Sequence, residues 1–198
     1  GFIDLPIVRE KPTNWPLVAG STIKGVWRDY FQINKPEDFT TIFGKEGQDV
    51  SRAGSVVISD AMIVFMPVRS LYGTFAYVTT PLVLDRIARD IALTLDKKIQ
   101  SLSVSESNQG LTTKNSVLSD TGKVYLEDLD IDSTDDETVE DLAKFFSKVL
   151  FPKDNEWQEI FCQRMLVVSE PVFNYLSVHS TDVVARTRID SQTGVVAP

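Results

Sequence analysis

The chain has 198 residues, 42% hydrophobic and 24% charged, with a formal net charge of −8. These are globular values, with enough length for one buried core carrying insertions, and they exclude collagen-like, disordered and disulfide-scaffold classes. The longest apolar runs are only strand-length, so no transmembrane helix is expected and no membrane partner, and no basic and apolar leader opens the chain. Cys162 is the single cysteine. It rules out an intrachain disulfide and a cysteine-rich zinc site, and it fits a reducing, cytoplasmic setting. Its neighbours Ile160 and Phe161 predict a buried structural thiol.

In chain order, residues 1–18 are expected to be extended, because Pro6, Pro12 and Pro16 exclude a helix interior. A helix is predicted over 20–32, with Ser21 as N-cap and Ile23, Val26, Trp27, Tyr30 and Phe31 on its inner side. Residues 34–54 read as an inserted loop. Val56–Phe65 reads as a strand that alternates at first and then turns apolar. A turn around Tyr72-Gly73 leads to a second strand, Thr74–Val78. Pro81 opens a helix to about Ile99, with Leu82, Val83, Ile87, Ile91 and Leu95 as its stripe.

Residues 101–122 are rich in Ser, Thr, Asn and Gly and read as a surface loop. Val124–Leu129 is a predicted strand. Val139–Phe151 is an amphipathic helix with Leu142, Phe145, Phe146 and Val149 inward. A strand follows at Leu166–Ser169, then a helix over Glu170–Ser177 with Ser169 as N-cap and Pro171 near its start. Val183–Ile189 alternates like a strand, and 191–194 reads as a hairpin turn. No internal repeat is visible. The mixture of helices and short, hairpin-linked strands predicts an α+β fold. A ferredoxin-like or RRM-like core fits if its first strand precedes Gly1.

Two segments carry chemistry-bearing residues. Asp4 sits in the extended opening, where it reads either as a turn-capping carboxylate or as a group that holds a metal or polarises a hydroxyl. Gly20, Ser21 and Lys24 lie at a helix start, whose free N–H groups, hydroxyl and ammonium make a phosphate seat. The plainer reading of Ser21 and Lys24 is an ordinary cap and an exposed lysine. Arg9, Lys11 and Arg28 read as surface charges or lesser phosphate contacts. Arg69 stands beside the Tyr72-Gly73-Thr74 turn, where it can hold a phosphate. Arg186 and Arg188 alternate with apolar residues on the late strand. Phe75 and Tyr77 fit core packing better than base stacking, since no RNP consensus is present. His179, the only histidine, reads as a surface or cap residue, with no partner for acid–base work in sight.

The run Ile3-Asp4-Leu5-Pro6-Ile7-Val8-Arg9-Glu10, the Gly20-Ser21-Thr22-Ile23-Lys24-Gly25 motif, Phe43-Gly44, Gly54–Ala61, Pro67-Val68-Arg69-Ser70, Gly73–Pro81 and Thr181–Asp190 together resemble the backbone RAMP subunit of type III-B CRISPR effectors, the Cmr complexes, in the Cas-seven-like superfamily. The resemblance covers nearly the whole chain. It implies one RRM-like RAMP domain over 1–198, with inserted loops around 34–54 and 101–136 and with both ends shorter than the family pattern. It implies that Asp4 is the catalytic group for cutting target RNA, assisted by a weakly bound Mg²⁺ or Mn²⁺ that Asp4 ligates. Ser21 and Lys24 would hold guide-RNA phosphates, with Arg9, Arg28, Arg69 and Arg186 as further RNA contacts. The implied partners are the CRISPR guide RNA, single-stranded target RNA, further copies of the chain in a helical filament, and other Cmr subunits. A structural RAMP subunit that coats the guide without cutting is the alternative, and Asp4 discriminates the two. A histidine-centred CRISPR-RNA processing enzyme is disfavoured, because one unplaced His179 and no C-terminal Gly-rich loop are available.

The net charge of −8 runs against RNA binding. However, nine acids lie between Glu127 and Asp141 with no Lys or Arg among them. They carry more than the whole excess, so the remaining surface is free to present a basic face. The acidic run reads as a solvated loop or helix face.

Overall fold

The computed structural model describes residues 7–44, 53–95, 99–104 and 108–181. The chain divides between Met62 and Ile63 into two units.

The first unit starts with a tight turn. Glu10 N–H donates to Trp15 O, Asn14 N–H donates to Glu10 O, and Asn14 takes a left-handed φ of 62°. Trp15, which closes this turn, is buried. Strand β1 (Leu17–Val18) pairs antiparallel with β2 (Ala61–Met62). Between them lie α1 (Gly20–Asn34) and α2 (Pro36–Phe43), joined at Lys35. The helices meet through Phe31, which packs edge-on to Phe43 at 5.6 Å between ring centroids. Three expectations are corrected here. The segment 34–54 is not all loop, since α2 starts at Pro36, an allowed first-turn position. The predicted strand over Val56–Phe65 shrinks to Ala61–Met62. The backbone of Ile58 and Ser59 instead lies against the start of α1, where it occupies the space beside Gly20. The third correction concerns the α1 face: Val26, Trp27 and Tyr30 are not inward but 63%, 54% and 58% exposed, and Ile33 is 79% exposed.

The second unit is built on a seven-stranded mixed sheet in the order β3-β4-β9-β5-β8-β7-β6. Its strands are β3 (Met66–Arg69), β4 (Phe75–Thr79), β5 (Gln109–Thr112), β6 (Ser119–Asp120), β7 (Lys123–Leu126), β8 (Leu129–Asp135) and β9 (Met165–Val168). β4 runs parallel to β9, and β5 parallel to β8, while the other pairs are antiparallel. The helices are α3 (Pro81–Leu95), α4 (Glu137–Leu150), α5 (Asn155–Arg164) and α6 (Glu170–His179). β9 is Met-Leu-Val-Val, with all four residues buried, as a central strand covered on both faces must be. Leu84, Leu111, Val139, Leu142, Ala143, Phe146, Phe161, Met165 and Val167 form one apolar core. Phe161 is its hub, with the rings of Phe65 and Tyr77 5.0 and 4.9 Å away.

The α+β expectation holds. The surface loop expected over 101–122 does not, because β5 sits near the middle of the sheet. Gly110 explains how so polar a stretch enters: a Cβ there would come within 3.0 Å of Leu166 Cδ1 and 3.1 Å of Ile131 Cγ2. The hydroxyls that made it look like a loop satisfy backbone carbonyls. Thr113 Oγ1 donates to Cys162 O and Ser116 Oγ to Gln163 O. α5 was not expected; Asp154 caps it by accepting from Trp157 N–H. α3 is described over Pro81–Leu95 and does not include Ile99, and its Leu82 is exposed while Leu84 is buried. Val149 of α4 is exposed, and Cys162 is only half-buried. Ser169 stands at the N-cap of α6 as expected. The late strand and turn over 183–194 lie outside the described residues. Among the described residues no helix is long and apolar enough to cross a membrane.

Candidate nucleic-acid interface

Helix α1 carries three of the expected contacts. Its N-cap is Ala19, which makes no side-chain cap, and Ser21 lies inside the first turn, so Ser21 does not cap the helix. The cap comes instead from Asp60, whose Oδ1 accepts from Gly20 N–H at 2.8 Å. Thr22 and Ile23 N–H both donate to Ala19 O. The helix end thus presents a carboxylate, which stabilises the positive end of the helix dipole and repels a phosphate approaching along the axis.

The flank of the helix differs in character. Lys24 and Arg28 are one turn apart and so share a face, with Ser21 a turn before Gly25 on the same side. Ser21 is exposed, whereas Lys24 and Arg28 are half-buried. The Arg28 guanidinium is held over the Phe39 ring, 5.4 Å from its centroid. A phosphate contact here would therefore use a cation whose position α2 fixes.

Arg9 has a structural task in the first turn: its Nη1 donates to Asn14 O at 2.8 Å. In the second unit, Arg69 is exposed at the end of β3. It lines a cavity of about 290 Å³ with Ser70, Leu71 and Glu127. The turn beyond is pinned on several sides. Arg164 Nε donates to Gly73 O at 2.9 Å, Ser70 Oγ to Tyr125 O, and Tyr72 Oη to Asp120 Oδ2. That last bond holds the Tyr72 hydroxyl above its ordinary pKa, because ionising it would lose the bond and place two negative charges together. Phe75 and Tyr77 pack edge to face; both are half-buried, and only Tyr77 packs against the core cluster. His179 is exposed and lies over Tyr175, with ring centroids 4.4 Å apart.

Asp4 and Arg186 lie outside the described residues. Among the described residues, no group of three or more His, Cys, Asp or Glu side chains is arranged to hold a metal ion. Three of the acids of 127–141 have other tasks. Asp136 caps α4 by accepting from Thr138 and Val139 N–H, Asp132 meets Lys123, and Glu140 meets Lys144. Reading the sequence alone missed Asp60 as the remote cap and Phe39 as the platform for Arg28. The first joins residues forty positions apart, and the second depends on how α2 folds back against α1.

The sequence profile of the RAMP superfamily matches residues 1–198. The chain belongs to the RAMP superfamily. Within it, this RAMP chain falls with the Cmr4 (Cas7) proteins. It is 35% identical over 202 aligned residues to the CRISPR system Cmr endoribonuclease Cmr4 of Pyrococcus furiosus, covering 99% of the chain and 67% of that protein. Its structure matches oligomeric Cmr4 from Pyrococcus furiosus with a TM-score of 0.76 and 32% identity, over 91% of this chain and 68% of that one. A chain of the Type III-B Cmr-beta complex bound to cognate target RNA shares the fold, with a TM-score of 0.61 at 18% identity, over 99% of this chain and 68% of that one.

Proposed function

We propose that this RAMP chain is a guide-RNA-binding backbone subunit of a type III-B CRISPR effector and that it cuts the paired target RNA. The observation that carries the reading is the 35% identity, along almost the whole chain, to a Cmr endoribonuclease. Self-association, a CRISPR guide, single-stranded target RNA and other Cmr subunits are the partners that go with it. Ser21, Lys24 and Arg28 would hold backbone phosphates, which sets position without reading sequence; the guide supplies sequence by base pairing.

Cleavage of RNA needs little from the protein beyond position and charge. The 2′-oxygen attacks the adjacent phosphorus as it loses its proton, and the P–O5′ bond breaks. The products are a 2′,3′-cyclic phosphate and a 5′-hydroxyl that takes up a proton. Asp4 is the proposed catalytic carboxylate, which would orient the hydroxyl or accept its proton. A divalent cation, when bound, would neutralise charge developing on the phosphate oxygens, with Asp4 as its protein ligand.

The test is cleavage of a complementary RNA by the assembled effector with Mg²⁺, comparing Asp4 with Asp4→Ala and measuring target binding in the same samples. Loss of the cuts with binding retained is the expected result. Unchanged cutting would leave the chain as a structural coat on the guide.

A further inference from the structure

We propose that Gly25 is the point of closest approach of a bound RNA backbone, which crosses the flank of α1 rather than its N-terminal end. This rests on the reading that α1 holds the guide. Two glycines bracket the Gly20–Gly25 motif, and the described residues explain only the first. At Gly20 a Cβ would stand 2.4 Å from Ile58 O and 2.8 Å from Ser59 O, so only glycine fits. At Gly25 a Cβ would meet none of the described residues within 4 Å. Gly25 is not among the residues with positive φ either. It sits well inside a 15-residue helix, where glycine is the least favourable residue after proline. Neither its backbone conformation nor packing against the described residues calls for it there. What a missing Cβ does provide is room for something outside the chain to lie directly on the helix backbone.

The side chains around Gly25 give the chemistry of that visitor. Lys24 and Arg28 border it on one side, one helical turn from each other, with the Ser21 hydroxyl a turn before it. Asp29 falls on its other side, and the apolar arc of Val26, Tyr30 and Ile33 lies beyond. Two cations and a hydroxyl on one border, an acid on the other, and a bare backbone between them fit an elongated anion whose charges line one edge. A single-stranded polynucleotide is of that kind. The axial approach is closed to it, because the Asp60 carboxylate occupies Gly20 N–H at the helix end.

The experiment uses the full chain and a fluorescein-labelled single-stranded RNA, with anisotropy, thermal melting and sedimentation velocity on Gly25→Ala, Gly25→Leu and Lys24→Ala. Gly25→Ala is expected to raise Tm by about 2–4 °C, since alanine is the better helix residue, and yet to weaken RNA binding. Gly25→Leu should weaken it further, by roughly tenfold or more, as a side chain holds the phosphates away from Lys24 and Arg28. Lys24→Ala should also weaken it. If Gly25→Leu binds like the parent while Lys24→Ala does not, the close approach at Gly25 is overturned and the α1 reading survives. If Gly25→Leu loses self-association but keeps its RNA affinity, Gly25 serves a protein contact and the proposal is overturned. If neither variant changes RNA affinity, the reading beneath it fails as well.

Discussion

Gly20 and Asp60 are bound to each other across forty positions of sequence, backbone N–H to carboxylate at 2.8 Å. The bond replaces the local cap that Ala19 cannot provide, and it fixes the 58–60 segment against the start of α1. Asp60→Ala is expected to lower stability by about 1 kcal/mol, the usual cost of a lost helix cap. Gly20→Ala should cost more, because its methyl group must displace the backbone at Ile58 and Ser59. Thermal or urea melts of the two variants check both the sign and the order.

The same carboxylate bears on RNA affinity. Asp60→Asn keeps an oxygen acceptor for Gly20 N–H but removes a negative charge near the helix. RNA binding should tighten modestly at low salt, and the gain should vanish at high salt. Lys24→Ala should act the other way, with the salt slope falling by about 0.7 if one phosphate contact is lost. Because such a contact reads no bases, the loss should be alike for unrelated RNA sequences. Anisotropy titrations across a salt series measure all of these.

Tyr72 and Tyr175 each donate their hydroxyl to a carboxylate, Asp120 and Asp128 respectively. The hydrogen bond to the carboxylate is the main reason both pKa values lie above the ordinary tyrosine range. A pKa raised in the folded state means that folding favours the protonated form. The contribution to stability is therefore complete below about pH 10 and is lost as pH rises through the folded values. Asp128→Asn should bring the Tyr175 titration back toward its ordinary value. Ultraviolet absorbance at the tyrosinate band, followed against pH, reads it directly.

The core of the second unit hangs on Phe161, fully buried among Phe65, Tyr77 and Phe151. Phe161→Ala should cost about 3–5 kcal/mol, enough to unfold a marginal domain. Asp136→Ala removes the acceptor for two α4 N–H groups and should cost about 1–2 kcal/mol. Denaturant midpoints separate the two magnitudes.

The sequence by itself determined the elements whose signal is local. Pro81 marked the start of α3, Ser169 the start of α6, and Leu142 and Phe146 the inner face of α4. Each rests on periodicity or capping within a few residues, which a chain carries whatever it packs against. The α+β class and the RAMP resemblance were legible in the same way, from element order and from a motif in which spacing is the message.

The tertiary structure alone decided what long-range contact supplies. Gly110 belongs to a central strand because neighbouring Leu166 and Ile131 close over it, a fact that its own Ser- and Gly-rich surroundings disguise. Val57 stayed out of a strand and 95% exposed, although its alternating neighbourhood has the period of one, because among the described residues no partner strand runs beside 56–60. Burial of a side chain and pairing of a strand depend on which distant segment arrives, and a local pattern does not encode that arrival. Thus Lys24 could be read from the motif. That its helix end is closed by Asp60, and that the described residues leave its neighbour Gly25 bare, became visible only once residues forty positions apart were placed side by side.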